Sequence, residues 1–292
     1  MGDNALFWWF DYWAPGTVYA QSSQAATFPA TNTQDHALSK AWRTTGINDE
    51  YVRCDFGKAV DFGGLMVVGD NLDDNGRIAV QASNASDFST TLLPGTYAYS
   101  WGSLFGAGEE PDGAGSEIVG AGGVPLAATK LILPSHVFTY MPAATVSARY
   151  VEVRLRNATN PDGYIQVPVI IAGLVKEVDV TLNQGFRLSR EEAVVRTTAG
   201  SGERRVRSLY RRVLLESEFS FQTDTEAKDF WLLATRHLGV SRGFGVSLLR
   251  PGNPVWKFFT TYFCRFQAVS EPEYRNFDNW VVRANLLELV GA

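Results

Sequence analysis

Cysteine, histidine and long apolar runs are all scarce in this chain of 292 residues. Its two cysteines, Cys54 and Cys264, lie far apart and outside any Cys-x-x-Cys or Cys/His spacing. That pattern argues against a structural zinc site and against a disulfide framework. Both fall in alternating apolar stretches, where a buried free thiol is expected, and the pair fits folding in a reducing cytoplasm. The three histidines, His36, His136 and His237, show no metal-ligand spacing. Asp35-His36 invites a catalytic reading, but no nucleophile motif such as Gly-x-Ser-x-Gly accompanies it. No segment approaches the ~20 apolar residues of a membrane span. Leu6-Phe7-Trp8-Trp9-Phe10 is brief, lacks a basic flank and is interrupted by Asp11, so no signal peptide is expected. The expectation is a soluble protein made without export. There is no internal repeat and no heptad pattern, and low complexity is confined to the Gly-rich stretch 102–124. That stretch is long for a loop in a compact domain, so it is expected to be mobile or to be ordered by a partner.

What is present is the material of a globular β protein. Hydrophobic residues make up 45% and charged residues 20%, enough for a sizeable core. Aromatics reach 13%, with eight Trp, a payload that goes into β-rich cores and interfaces. Residues 1–175 hold 9 Lys+Arg and 17 Asp+Glu, a net of −8, whereas residues 176–292 hold 17 and 14, a net of +3. Opposite signs in the two halves point to two domains and to head-to-tail contact between copies. Ordinary surface variation explains the asymmetry equally well.

Period-two alternation predicts strands at 50–56, 64–69, 77–83, 96–101, 129–133, 149–156 and 164–171. In the sixth, Tyr150, Glu152, Arg154 and Arg156 share one face and Val151, Val153 and Leu155 the other. Alternation resumes at 174–183, taken as the start of a second unit. Long paired strands at 186–196 and 204–221 flank a flexible tip around Gly200 and Gly202. Thr223-Asp224-Thr225-Glu226 is a capping box and predicts a helix to about Leu238. Its apolar face is Ala227, Phe230, Trp231, Ala234 and Leu238, with Gly239 as the stop and His237 in the last turn, where a cation suits the dipole. Strands at 244–249, 256–269 and 279–289 follow. The fold class is therefore mainly β: a jelly-roll β-sandwich over residues 21–175, then a β-sandwich or barrel over 176–292 with one packed helix. The aromatic segment 1–20 packs as a strand, either on its own domain or on a neighbouring subunit.

Few stretches carry chemistry. Asn71, Asp73 and Asn75 alternate before Gly76 as oxygen donors do in calcium loops, but the position of the bidentate Glu is taken by Ala82, and a plain acidic turn fits as well. No other cofactor is expected. Glu109-Glu110 and Glu191-Glu192 are adjacent acids, which a strand sends to opposite faces, so neither doublet makes a glycosidase pair. Arg204, Arg205, Arg207, Arg211 and Arg212 form a basic strip, with Arg205, Arg207 and Arg211 on one parity. Without interleaved stacking aromatics the strip does not point to nucleic acid. A contact with the acidic half of a neighbour fits better, with a solvated strand as the plain alternative.

Thr27-Phe28-Pro29-Ala30-Thr31-Asn32, Ala41-Trp42-Arg43-Thr44, the strand Tyr51–Gly57, Ala148–Val151 and Gly163-Tyr164-Ile165-Gln166 occur in that order. Together they resemble the galactose-binding-like (F5/8 type C, discoidin) domain in the form found in tail proteins of tailed bacteriophages. Residues 176–292 resemble, more loosely, the β-plus-helix units of phage distal tail and tail-tip proteins. The terminal cysteines of extracellular discoidin domains are missing, in keeping with a virion part assembled in the host cytoplasm. The resemblance implies a non-enzymatic structural protein at the tip of a non-contractile, siphovirus-like tail. Its partners would be itself in a ring (hexamer or trimer), the tail tube and the tail hub. Trp8, Trp9, Trp13, Arg204, Arg205 and Arg207 would serve that assembly. The alternative is a carbohydrate-binding module for host surface glycans, with Tyr97, Tyr99 and Trp101 as stacking residues. A glycan depolymerase would need a catalytic set the sequence does not offer.

Overall fold

The computed structural model describes residues 5–73, 75–99, 137–178, 186–198, 204–248, 260–268, 272–276 and 279–289. Chain order gives β1 Leu6–Asp11, β2 Thr17–Gln21, β3 Trp42–Arg43, β4 Glu50–Phe62, β5 Gly64–Val68 and β6 Arg77–Ser83. Then come β7 Thr91–Pro94, β8 Ala98–Tyr99, β9 Val137–Tyr140, β10 Val146–Arg156, β11 Gln166–Val167 and β12 Val169–Glu177. The chain continues through β13 Phe186–Thr198, β14 Arg204–Gln222, β15 Phe244–Ser247, β16 Thr261–Ala268, β17 Glu273–Asn276 and β18 Asn279–Glu288. Between β14 and β15 one helix, α1, runs through Asp224–Glu226, Ala227–Leu232 and Leu233–Leu238, with a π-type turn in the middle stretch. Its expected cap is present: the Thr223 hydroxyl accepts from the Glu226 N–H at 3.2 Å. The fold is mainly β, as the alternation implies. The strands expected at 129–133 and the Gly-rich stretch 102–124 lie outside the described residues.

Two antiparallel sheets dominate. One has the order β2-β4-β10-β6-β7, with β8 also on β6. The other is ten-stranded, β13-β14-β18-β16-β15-β1-β12-β5-β9, with β17 on β18. The smaller sheet lies against one end of the larger. The core between them contains Val52, Cys54, Val151, Val153 and Leu155 from the small sheet and Leu65, Val67, Ile170 and Ala172 from the large one. Trp13 and Trp42 are also buried there, at 0% exposure. At the other end, on the same face of the large sheet, α1 buries Phe230, Trp231, Ala234 and Leu238 against Phe7, Phe219, Phe244 and Phe266. The second half is thus an open sheet under a helix. Of the two forms expected there, no barrel closes among the described residues.

β1 explains the continuity. It pairs with β12 (Trp8 opposite Val175, Asp11 opposite Gly173) and with β15 (Leu6 opposite Ser247, Trp8 opposite Gly245). Strand alternation sends Phe7 into the core beneath α1, while Leu6 and Trp8 join Met66, Val68, Val169, Ile171 and Phe263 on the opposite face. β5 and β12 are buried on both faces. That is why Leu65–Val68 and Val169–Ala172 read as unbroken apolar runs instead of alternating ones. The division at 175/176 falls inside β12, and Leu6–Asp11 of the aromatic segment pack as a strand within their own chain. Trp8 and Trp13, at 1% and 0% exposure, have no surface left for a neighbouring subunit. Trp9 is partly buried against the helix core, its ring 5.7 Å from that of Phe230.

Asp11, expected only to interrupt an apolar run, fastens this junction. Its carboxylate accepts from the N–H groups of Trp13 (2.8 Å), Ala14 (3.2 Å) and Ala172 (3.0 Å), and lies 3.0 Å from His36 Nε2. Asp35 instead pairs with Lys40, so Asp35-His36 is not a dyad.

Candidate functional site

The sequence-designated residues Asn75 and Tyr97 meet at one end of the small sheet. The loop 69–76 that leads into β6 is cross-linked to the loop 157–166 that follows β10. Asn71 donates to Asp162 Oδ2 (2.9 Å) and to the Tyr164 carbonyl (3.1 Å), and accepts from the Gln166 N–H (2.7 Å). Asp73 accepts from the Asn75 N–H (2.8 Å) and from the Thr159 hydroxyl (2.8 Å). The Asn75 carboxamide in turn donates to Thr159 Oγ1 at 3.3 Å. The side-chain oxygens of Asn71 and Asp73, offered by sequence as part of a calcium loop, are thus engaged in bracing the two loops, and Asn75 joins them through its carboxamide nitrogen. No cluster of three or more His, Cys, Asp or Glu with metal-binding geometry occurs among the described residues.

Against this braced corner opens a cavity of about 290 Å³ lined by Asn75, Arg77, Tyr97, Arg156, Ala158 and Thr159. Register sets its floor. β6 and β10 pair so that Arg77 stands directly opposite Arg156, and β8 adds Tyr99 opposite Arg77. The Tyr97 hydroxyl donates to Asp49 Oδ1 at 3.0 Å, which fixes the ring at the cavity edge. Burial, then the hydrogen bond to Asp49, pushes the Tyr97 phenol up, so it is a neutral hydroxyl at any physiological pH. The site therefore presents one aromatic ring, a carboxamide, a hydroxyl and two guanidinium groups.

Further along the same outer face, Glu152 is fully buried beneath Arg53 and Arg154, which both pair with it. Arg53 also lies over the rings of Tyr51 (4.8 Å) and Phe88 (5.0 Å). Asp55 is held below the usual carboxylate range by its two-pronged contact with Arg149, whose Nε and Nη2 each sit 2.8 Å from it. These pairs stiffen the sheet beside the cavity.

The remaining designated residues do not converge on it. Trp101, Glu109, Glu110 and His136 lie outside the described residues. Glu191 pairs with Arg212, Nη2 to Oε2 at 2.7 Å, on the β13–β14 ribbon. On that ribbon Arg204, Arg205 and Arg207 stand opposite Thr198, Thr197 and Val195. A bulge between Ala193 and Val194 then shifts the alternation by one, so that Arg212, not Arg211, shares the register set of Arg205 and Arg207. Sequence reasoning missed Arg77 and Arg156 as site residues. The signal was present only as two strand ends of unknown register.

No family model matches the chain, and no curated protein matches it. Among solved structures it is similar to the lectin domain of Lectinolysin complexed with Lewis B antigen, at 14% identity over 56% of this chain and 95% of that one, TM-score 0.35. It is also similar to the family 32 carbohydrate-binding module from C. perfringens NanJ in complex with galactose, at 12% identity over 59% of this chain and 99% of that one, TM-score 0.34. A third is CBM32-3 from a family 31 glycoside hydrolase of Clostridium perfringens, at 12% identity, 56% and 93% coverage, TM-score 0.36.

Proposed function

We propose that the chain is a binding protein that recognises a glycan at the corner formed by Asn75, Arg77, Tyr97, Arg156 and Thr159. The observation that carries this reading is the combination of groups around the cavity. Sugars need an apolar ring face to lie against and fixed donors and acceptors for their hydroxyls, and a concave site with a few convergent polar groups supplies both. The bracing of both loops holds those groups before the ligand arrives, which lowers the ordering cost of binding. The reading assigns recognition without turnover.

The test is titration calorimetry of the full chain against soluble oligosaccharides chosen from a glycan array, beside Tyr97→Ala. Saturable binding that weakens about tenfold in the variant, ~1.4 kcal/mol, is expected. No binding at sugar concentrations of ~1 mM, where a weak lectin site still registers, refutes the reading.

A second reading concerns assembly, and the β13–β14 ribbon favours it. β14 pairs with β18 only from Leu214 onward, and the Val213 N–H donates to Glu288 Oε2 at 2.8 Å, so residues 204–212 have only β13 as a ladder partner among the described residues. That projects a two-stranded arm of about 30 Å at ~3.3 Å per residue. Val195 on it is 43% exposed, and Leu188, on the sheet edge just before it, is 41% exposed. Isolated ribbons are marginal in water, and an uncovered strand edge is a template for another chain. In this reading the chain is a structural component of a non-contractile phage tail tip within the virion, forming a ring, hexameric or trimeric, on the tail tube and hub. Light scattering on the full chain and on a variant lacking residues 192–209 checks it. A closed oligomer lost in the variant is expected, and a strictly monomeric wild type removes the reading.

A further inference from the structure

From the charge and placing of the β13–β14 arm we infer that its partner is the acidic half of a second copy of this chain, taken head to tail. The inference rests on the assembly reading above and names the surface and the symmetry of the contact.

Residues 191–212 hold 6 Arg and 3 Glu, a net of +3. Residues 176–292 as a whole also carry +3, so everything in that half outside the arm sums to zero. The count already includes the pair of Arg212 with Glu191, and pairing within the arm leaves it unchanged. Residues 1–175 carry −8. Three exposed carboxylates of that half accept from neutral donors, so these bonds cancel none of their charge: Asp49 from the Tyr97 hydroxyl, Asp87 from the Ser89 N–H and Asp162 from the Asn71 carboxamide. The arm stands away from the acidic half of its own chain. β13 is the first strand of the ten-stranded path, and the small sheet packs on the β12–β5 end of it through Leu65, Val67, Ile170 and Ala172. Six to seven strand spacings separate the two, roughly 30 Å at ~4.8 Å each, and the arm extends along the strands, not across them. A second copy brings the same two surfaces together without that gap. Because they are different surfaces, the contact is heterologous: each copy gives an arm and takes one, and the series forms a ring if the rotation closes. An arm-to-arm contact would instead oppose +3 with +3. Opposite charge steers the encounter and selects which surfaces meet, and the exposed Val195 adds an apolar contact.

The full chain is followed by light scattering over a range of protein concentrations in ~0.1 M and ~1 M NaCl, between which the Debye length falls from ~10 Å to ~3 Å. The dissociation constant of the oligomer should rise at least about tenfold at the higher salt. A variant with Arg204→Glu, Arg205→Glu and Arg207→Glu, checked for folding by circular dichroism, should be monomeric at both. A second variant, with Arg204→Lys, Arg205→Lys and Arg207→Lys, keeps the charge and places amines on the arm. A carbodiimide then joins each amine to a carboxylate in contact with it, and an equal mixture of isotope-labelled and unlabelled chains separates links between copies from links within one. Links between copies should end on carboxylates of residues 1–175. An oligomer that withstands the salt or the triple reversal, or between-copy links that are absent or end in residues 176–292, overturns the inference and leaves the assembly reading standing. A wild type that is monomeric at both salts overturns both.

Discussion

His237 illustrates how much a single residue's partners decide. The ring stacks on Phe10, with centroids 4.5 Å apart and planes 13° apart, and stands edge-on to Trp9. Arg242 Nη1 lies 3.3 Å from its Nε2. Arginine can only donate, so that nitrogen accepts and the imidazole is neutral. Burial and then the Arg242 charge push its pKa below the usual 6.5. A cation in the last turn was the sequence expectation, and Arg236 is the cation there, while Arg242 lies beyond the helix end. The consequence for stability follows from proton counting. Below about pH 6.5 the unfolded chain binds a proton that the folded chain resists, so this group's share of stability is intact above that pH and declines as pH falls through it. The urea midpoint of wild type should therefore drop more between about pH 7.5 and about pH 5.5 than that of His237→Phe, which keeps the stacked ring without the titration. An equal drop in both would assign the effect to other groups.

At the scale of elements, the junction of β1 and β12 depends on how closely two backbones approach. A Cβ on Gly173 would sit 2.0 Å from the Phe10 carbonyl oxygen, where only backbone movement can relieve it. On Gly245 the same atom would meet the flexible end of Met66 at 2.2 Å. Gly173→Ala should cost about 1–3 kcal/mol, as overpacking does, and Gly245→Ala clearly less, because a methionine can swing aside. Chemical denaturation of both variants checks the order, and a larger loss for Gly245→Ala would mean that β1 and β12 slide more freely than their register implies. Elements like β6, β10 and α1 were legible in the sequence, because one face of each is apolar and the other polar. β1 was legible only as a strand somewhere in the aromatic segment, not in its place: its flanks are set by strands far along the chain, and burial on both faces erases alternation. The site was half legible for a similar reason. Asn75 and Tyr97 were noticed separately, one as an oxygen donor and one as an aromatic near a loop. Arg77 and Arg156 became a pair only through the register of β6 and β10. On the ribbon, one bulge was enough to exchange Arg211 for Arg212 in the alternation.

For the whole molecule, the arrangement of cores bears on whether the two halves are separable. Opposite charge in residues 1–175 and 176–292 suggested two domains. Yet Phe7, from the start of the chain, is in the middle of the aromatic cluster under α1, with ring centroids 5.3 Å from Trp231, 5.5 Å from Phe230 and 5.8 Å from Phe219. Leu6 and Trp8, its neighbours, pack on the other side with Met66, Ile171 and Phe263. One strand thus contributes to cores formed by both ends of the sequence, and β12 crosses the presumed boundary unbroken. Cutting at 175 would sever β12, strip β15 from β1, leave Phe7 without its ring partners Phe219, Phe230, Trp231 and Phe244, and take Phe263 from the cluster of Trp8. Burying one such side chain is worth ~1.5–3 kcal/mol, so several lost together approach the whole stability of a domain. The full chain should accordingly unfold in one transition, coincident by tryptophan fluorescence and far-ultraviolet circular dichroism, and the fragment 1–175 should be aggregated or lack native near-ultraviolet dichroism. Two resolved transitions, or a fragment that retains the near-ultraviolet signal of its share of the chain, would show that β1 is shared in geometry but not in energy.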